Sequence, residues 1–454
     1  MGLLRGIGRI IAGYPGGWKK HARGSDGFGP FGPTPPFVQP TSPDDRRSAI
    51  PPLGLREYWY PALPEEGVPR DKPVGLRMLG TDLVFFRDKD GDVQALLDLC
   101  PHRGVYLSWG DCFWQGFLSC PYHGATFDGD GECVEFITEG PDSKMVGRLK
   151  ARKYPTRTLK GVVFVWMGDG NPVNIEEDVP PEFFERDAVV QNAFRYWNTN
   201  WMIALENNGD AHNMFYVHRN SWRMLRGTRF GRGRTPIGYR MRVTLPRAVD
   251  TTKDPKAESH YEVDGKMPYQ LYYPRVQGYW PKHRWRLAWA WFFDALEDRR
   301  RRRPALENPI DWEGVILPCT VRSNHRTHIY SRWAVPVEEN LTRVIYFFTT
   351  RPKTVFGRIY DKVSFEAILK WMYFFNFSDQ DYDAMRSTRY QHPEYLSSTD
   401  NPVIALRKLI TEHGRGIHKA VDLPANTTAE QRVYEADEAL GAKPDADLLA
   451  RATR

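Results

Sequence analysis

Cysteine is scarce in this chain: five residues in 454, at positions 100, 112, 120, 133 and 319. Small secreted folds stapled by disulfides carry more, in even numbers, so the count points to a reducing, cytoplasmic setting. Long apolar runs are missing as well. No stretch approaches the roughly 18–20 uninterrupted apolar residues of a membrane span. The opening "MGLLRGIGRIIAGYPGG" lacks the apolar core of a secretory signal. It reads as a frayed arm, with a short basic amphipathic membrane contact as the alternative. No internal repeat recurs, and neither a dinucleotide-binding strand–turn–helix unit nor a flavin motif is read. The net charge of +7 is too diffuse to argue for nucleic acid, though it fits an acidic partner protein. The run Arg299 to Arg303 reads first as a solvated loop and second as a docking patch.

What is present describes a globular chain. Hydrophobic residues make 41%, charged residues 26% and aromatics 13%, enough for two or three domains with real cores. Residues 1–55 are rich in Gly and Pro and read as an extended arm. Residues 56–170 hold short apolar runs, including a pair around Asp90-Gly91 that signals a hairpin, and read as a small all-β domain. "NIEEDVPPEFFERD" looks like a linker. Residues 171–425 read as α+β, with strand-like segments such as "GYRMRVTLP", "VILPCTV" and "RVIYFFTTRP" spaced as in an antiparallel sheet. In "VSFEAILKWMYFF" apolar residues at 365, 368, 369, 372 and 375 follow a helical period. Helices of this kind cover one face of the sheet. Residues 426–454 form a polar tail.

Two phrases in the β domain rhyme: Cys100-Pro101-His102 and Cys120-Pro121-Tyr122-His123, each followed by a glycine, Gly104 or Gly124. Thiolate and imidazole together suit zinc or an iron–sulfur cluster. Zinc fingers place two Cys close together and then two His; here each loop supplies one of each. That mixture suits a [2Fe–2S] cluster with one iron on two thiolates and the other on two imidazoles, an arrangement that raises the potential. The glycines are expected to let the loops approach the cluster. Cys112, Cys133 and Cys319 lie outside the pattern and read as small buried residues.

The pattern C-x-H followed by C-x-x-H resembles the Rieske family, with Cys100, His102, Cys120 and His123 in the ligand positions. Such a cluster moves single electrons and activates nothing alone, so the larger region should hold what receives them. "ALENNGDAHNMFYVHRNSW" contains Glu206, Asp210, His212 and His218. Two histidines and a carboxylate on one face of iron(II) leave sites free for O2. The segment resembles the catalytic domain of Rieske non-heme iron oxygenases, whose motif is N-x-x-D-x-x-H followed by a second His. Asn207 and Asp210 match. The family spacing puts Asn213 in the first ligand position and His212 one place early; His212 is chosen, with Asn213 as the rival, and His218 is the second ligand. For the carboxylate, helical phase carried from Phe365 points Asp379 and Asp383 inward. Ser378, however, looks like a fresh N-cap that resets the phase. The Gln380-Asp381 pair resembles the family's carboxylate region, so Asp381 is chosen, with Asp379 and Asp383 in reserve.

The resemblance implies an α+β fold: a Rieske domain followed by a larger, helix-grip-like catalytic domain with an antiparallel sheet. It implies a terminal oxygenase fed from NAD(P)H through a separate reductase, with or without a ferredoxin, acting as a monooxygenase or dioxygenase. Hydroxylation, dihydroxylation and dealkylation of an aromatic or polycyclic compound all fall within it. It also implies a head-to-tail homotrimer in which Asp210 links His123 of one chain to His212 of the next. Two rivals stand beside this reading: a Rieske electron-transfer protein without oxygen chemistry, and a zinc-based binding module.

Overall fold

The computed structural model describes residues 47–208, 217–221, 232–234, 239–244, 260–265, 272–274, 285, 314–325, 327–388, 390, 394–396 and 400–417. The chain divides into two compact units. One comprises Leu53–Phe184, Val335–Glu339 and the residues from Arg415; the other comprises the residues up to Pro52, Glu185–Ala334 and Asn340–Gly414.

The first unit is all β. Its strands are β1 (Trp59–Pro64), β2 (Val74–Met78), β3 (Thr81–Arg87), β4 (Val93–Leu97), β5 (Leu118–Ser119), β6 (Ala125–Phe127), β7 (Cys133–Phe136), β8 (Lys153–Tyr154), β9 (Thr156–Leu159) and β10 (Val162–Trp166). They form three small sheets, ordered β1-β10-β9, β2-β3-β4-β8 and β5-β6-β7. The hairpin signal at Asp90-Gly91 corresponds to the β3–β4 connection. A second hairpin, β2–β3, turns at Leu79-Gly80 with φ of 49° and 71°, the left-handed pair that a two-residue turn needs. A buried Leu in that position hides the turn from composition. Cys112 and Cys133 are free, and they pack in the core with Val84, Phe86, Leu118 and Phe127.

In the second unit the strands are β11 (Val189–Trp197), β12 (Arg232–Arg234), β13 (Tyr239–Thr244), β14 (His260–Gly265), β15 (Tyr272–Pro274), β16 (Gly314–Ile316), β17 (Thr320–His325), β18 (His328–Glu338) and β19 (Leu341–Thr350). Seven of them make one sheet, β11-β19-β18-β17-β16-β13-β14, with β13 and β16 parallel. Nine of the ten residues of β19 are buried, as expected of a strand covered on both faces. The segment "WRLAWAWFFDAL", read as a strand, lies outside the described residues except for Trp285.

The helix after β19 departs from simple periodicity. It runs as α2 (Val355–Ser364), α3 (Lys370–Tyr373) and α4 (Asp379–Met385), joined by π turns at Phe365–Leu369 and Phe374–Ser378. Each π turn inserts a residue and rotates the helix beyond it. The buried row is therefore Phe365, Ile368, Trp371 and Phe374, while Leu369, Met372 and Phe375 are half-buried. Ser378 is not an N-cap: it is helical (φ −61°, ψ −27°) and its side chain caps nothing. The expected phase reset exists, but the π turn supplies it. α2 is also inverted, burying Asp361 and Ser364 while Val355, Phe356, Ile359 and Val363 face outward.

The short α1 (Trp201–Glu206) is capped by Asn200, whose side chain accepts from the Met202 N–H. It is tied to α5 (Asn401–His413) by Arg407. The Arg407 guanidinium grips both Glu206 oxygens, at 2.6 and 3.0 Å, and also bonds Glu394. Removing one partner of such a buried set strands the others. Arg407→Ala is expected to cost about 3–5 kcal/mol, seen as a lowered denaturant midpoint at unchanged slope; a change under about 0.5 kcal/mol contradicts it.

Candidate functional site

Two loops of the β unit share one backbone design. In the first, the Cys100 N–H donates to the Val105 carbonyl (2.8 Å) and the Gly104 N–H returns to the Cys100 carbonyl (2.8 Å). In the second, the Cys120 N–H donates to the Ala125 carbonyl (2.8 Å) and the Gly124 N–H to the Cys120 carbonyl (3.1 Å). Each glycine closes its loop with φ near +70° (72° and 70°). A Cβ on Gly124 would also stand 2.7 Å from that of Ile137. The glycines thus serve the turn itself, a more local reason than an approach to a cluster.

The four side chains of these loops meet. The rings of His102 and His123 lie 4.9 Å apart, His102 edge-on to Phe136 and His123 against Tyr122. Both cysteines are buried and both histidines half-buried. Cys100 and Cys120 act on each other: the interaction with Cys100, helped by the Tyr122 and His123 backbone, lowers Cys120 to about 6, while the interaction with Cys120 and burial push the Cys100 thiol up. A lowered thiol favours the thiolate form that ligates metal. Among the described residues no three His, Cys, Asp or Glu side chains close on a single point. A two-iron cluster spreads its donors two per iron and needs no such point. The donor set fits it. Arg103 stands over the Tyr122 ring, 5.9 Å from its centre, and Trp109, Phe113, Trp114 and Tyr122 are exposed.

In the second unit, His218 and Asp381 come together from 163 positions apart. His218 Nε2 lies 2.9 Å from Asp381 Oδ1, both side chains almost fully buried. His218 Nδ1 lies 3.0 Å from Gln380 Oε1. With the proton on Nδ1 and donated to Gln380, Nε2 turns its lone pair toward Asp381. Asn207, at the end of α1, donates from Nδ2 to Asp381 Oδ1 (3.2 Å), and the Phe377 ring lies flat on His218 (3.5 Å, 14°). Two donors each about 2.1 Å from a shared cation and at right angles stand about 3 Å apart. The observed separation fits that arrangement.

The rival carboxylates are otherwise engaged. Asp379 pairs with Arg195 of β11, and Asp383 lies 3.7 Å from Arg386. Asp210, His212 and Asn213 lie outside the described residues. Sequence reasoning misses Gln380 and Phe377 as site residues. Gln380 is legible only as a neighbour of Asp381, and Phe377 looks like any core aromatic.

The paired loops and their sheets define a protein that carries electrons on a cluster, and comparison with known proteins bears this out. A Rieske [2Fe-2S] domain matches residues 58–155, and a homotrimeric ring hydroxylase domain matches residues 166–266. The terminal oxygenase component of carbazole 1,9a-dioxygenase from a Sphingomonas species is 28% identical over 379 residues, covering 81% of this chain and 94% of that one. The oxygenase component of dicamba O-demethylase from Stenotrophomonas maltophilia is 36% identical over 169 residues, 36% of this chain and 48% of that one. The solved terminal oxygenase of carbazole 1,9a-dioxygenase from Novosphingobium sp. KA1 superposes with a TM-score of 0.63 at 25% identity, over 82% of this chain and 97% of that one. The chain carries a Rieske domain followed by a ring hydroxylase domain and is homologous to the terminal oxygenase components of carbazole 1,9a-dioxygenase. Its cofactors are a Rieske [2Fe–2S] cluster and a mononuclear iron. The relatives are oxygenases, which leaves the electron-transfer-only alternative and the zinc module without support. Among the described residues no helix is long and apolar enough to cross a membrane.

Gly124→Ala is expected to cost about 1–3 kcal/mol from the forced left-handed backbone. The check is the thermal midpoint together with cluster absorbance per chain. Full absorbance at an unshifted midpoint contradicts the role given to this turn.

Proposed function

We propose that this terminal oxygenase holds its mononuclear iron on His218, Asp381 and His212, and oxygenates an aromatic or polycyclic compound. The observation that carries the assignment is the 2.9 Å approach of His218 Nε2 to Asp381 Oδ1. Cys100 and Cys120 would hold one iron of the cluster, His102 and His123 the other. When bound, the cluster supplies single electrons and the mononuclear iron supplies a site for activating O2.

The chain's own residues prepare that site. Gln380 fixes the His218 tautomer, and Asn207 fixes the carboxylate of Asp381. Phe377 covers the imidazole face and keeps water from it. Arg195 draws Asp379 away, so that one carboxylate of this helix, and not two, faces His218. Asp210 takes the coupling role between cluster and iron that the motif assigns it.

The substrate class follows from the relatives, which act on carbazole, dicamba and phthalate, all aromatic. Homotrimeric assembly follows from the ring hydroxylase match, and the outward Val355, Phe356, Ile359 and Val363 suit burial in a subunit contact. Electrons come from NAD(P)H through a separate reductase, with or without a ferredoxin; solved carbazole 1,9a-dioxygenase oxygenases are complexed with a ferredoxin. Five free cysteines suit the cytoplasm.

Iron analysis with EPR of the reduced protein tests the assignment. Wild type is expected to carry three irons per chain, and His218→Ala, Asp381→Ala and His212→Ala two, each with the cluster signal intact. Asp379→Ala and Asn213→Ala should keep all three. A third iron retained in Asp381→Ala and lost in Asp379→Ala overturns it.

A further inference from the structure

The helix-facing side of the catalytic sheet carries a run of phenol and imidazole rings. Tyr346 of β19 pairs with Ala193 of β11, and Val344, on the same face, pairs with Arg195. Arg195 bonds Asp379, and the Tyr346 ring lies 4.4 Å from that of Phe374. Tyr346 therefore lies under the π turn Phe374–Ser378, whose Phe377 covers His218 and which leads into Asp381. From Tyr346 the rings continue without a gap. Tyr330 of β18 follows at 6.3 Å, Tyr373 of α3 stacks on Tyr330 (4.9 Å, 19°), and His328 and His325 stand 5.5 and 5.9 Å from Tyr373. His325 is half-buried, where β17 turns into β18. The run thus extends from beneath the proposed iron site to the surface.

The two ends of the run differ in what they can do with a proton. The Tyr346 hydroxyl is sealed from solvent and has no hydrogen-bond partner among the described residues. The Tyr373 hydroxyl lies 2.9 Å from His328 Nε2, and His328 Nδ1 lies 2.9 Å from the Thr327 hydroxyl. With the Nδ1 proton donated to Thr327, Nε2 turns its lone pair to the phenol. His328 is buried, so water competes little for that lone pair. A phenol that gives up an electron becomes a strong acid. It gives the electron up most easily where a base already holds its proton.

We propose that Tyr373 and His328 form a proton-coupled redox pair that protects the enzyme, draining oxidising equivalents from the iron site through Tyr346 and Tyr330 when no substrate takes them. This rests on the iron position proposed above. Two electrons and two protons take O2 to the level of peroxide. Without substrate, two further electrons and two protons from solvent are needed to reach water. Tyr373 supplies one of these electrons and ferrous iron the other. The Tyr373 hydroxyl proton passes to His328 Nε2, which leaves a neutral phenoxyl radical beside an imidazolium. One electron from a solution thiol, with return of the His328 proton, restores the phenol, and the oxidised thiols pair as a disulfide.

Hydrogen peroxide brings oxygen already at that level, so it tests the pair without a substrate or redox partner. Holoenzyme with ferrous mononuclear iron and oxidised cluster is mixed with equimolar peroxide, frozen at once and read by EPR. Wild type is expected to show an organic radical whose signal narrows when the protein is grown on ring-deuterated tyrosine. Tyr373→Phe and His328→Gln, compared at equal mononuclear iron, are expected to lose that signal. Tyr360→Phe, on the exposed face of α2, is expected to keep it. Under repeated peroxide with thiol present, mass spectrometry is expected to find the His218 peptide oxidised sooner in Tyr373→Phe than in wild type. A signal that survives in Tyr373→Phe and His328→Gln, its absence from wild type that has consumed the peroxide, or equal oxidation of the His218 peptide overturns the inference alone. His218→Ala, lacking the third iron, is expected to give no radical, and a radical there also overturns the inference. If His218→Ala keeps that iron, or ferrous wild type leaves the peroxide untouched, the iron reading falls and this inference with it.

Discussion

The approach of an imidazole nitrogen to a carboxylate oxygen, 2.9 Å apart and out of water, is the constraint on which the catalytic unit depends. A neutral histidine and an ionised carboxylate are poor company in a dry interior unless a proton or a cation lies between them. Much of the surrounding architecture holds that pair in place. Gln380 takes the far side of the imidazole, Asn207 takes the carboxylate, and Phe377 seals the ring. Asn207 and His218 reach Asp381 from the other end of the unit's sequence, so the site exists only when the whole unit is folded.

The helix that delivers Asp381 shows how backbone geometry selects among chemically equal residues. Asp379, Asp381 and Asp383 are alternate positions of one segment, and a regular α-helix extended from Phe365 would turn the outer two inward. Two π turns shift the phase, and Arg195 and Arg386 engage the outer carboxylates. π turns are rare and recur at functional sites, where the energy of a looser turn is offset by the placement it allows. At the other end, Arg407 anchors α1 through Glu206, and the next residue is Asn207. The ion network of Arg407 and the polar contacts of the site thus meet at neighbouring positions of one short helix.

How much can be read from sequence follows the range of each interaction. The paired Cys/His loops are legible as loops, because cysteine, turn and glycine lie within five residues of one another and the pattern repeats. The all-β unit is legible from short apolar runs, except at Leu79-Gly80, where a turn carries a buried leucine. The catalytic sheet is legible in its long strands and not in its one parallel pairing, β13 with β16, which depends on where distant strands dock. Asp381 does meet His218, but the cap at Ser378 that favoured it in the sequence does not exist. π turns have no composition signal; they arise when side-chain packing on the sheet outweighs the regular hydrogen-bond ladder.

Anomalous diffraction at the iron edge, from crystals of the iron-loaded protein, is the most direct measurement of the central claim. The account predicts a single isolated peak between His218 Nε2 and Asp381 Oδ1, separate from the double peak at Cys100, His102, Cys120 and His123. A lone peak beside Asp379 or Asp383, with His218 out of ligand range, would contradict it.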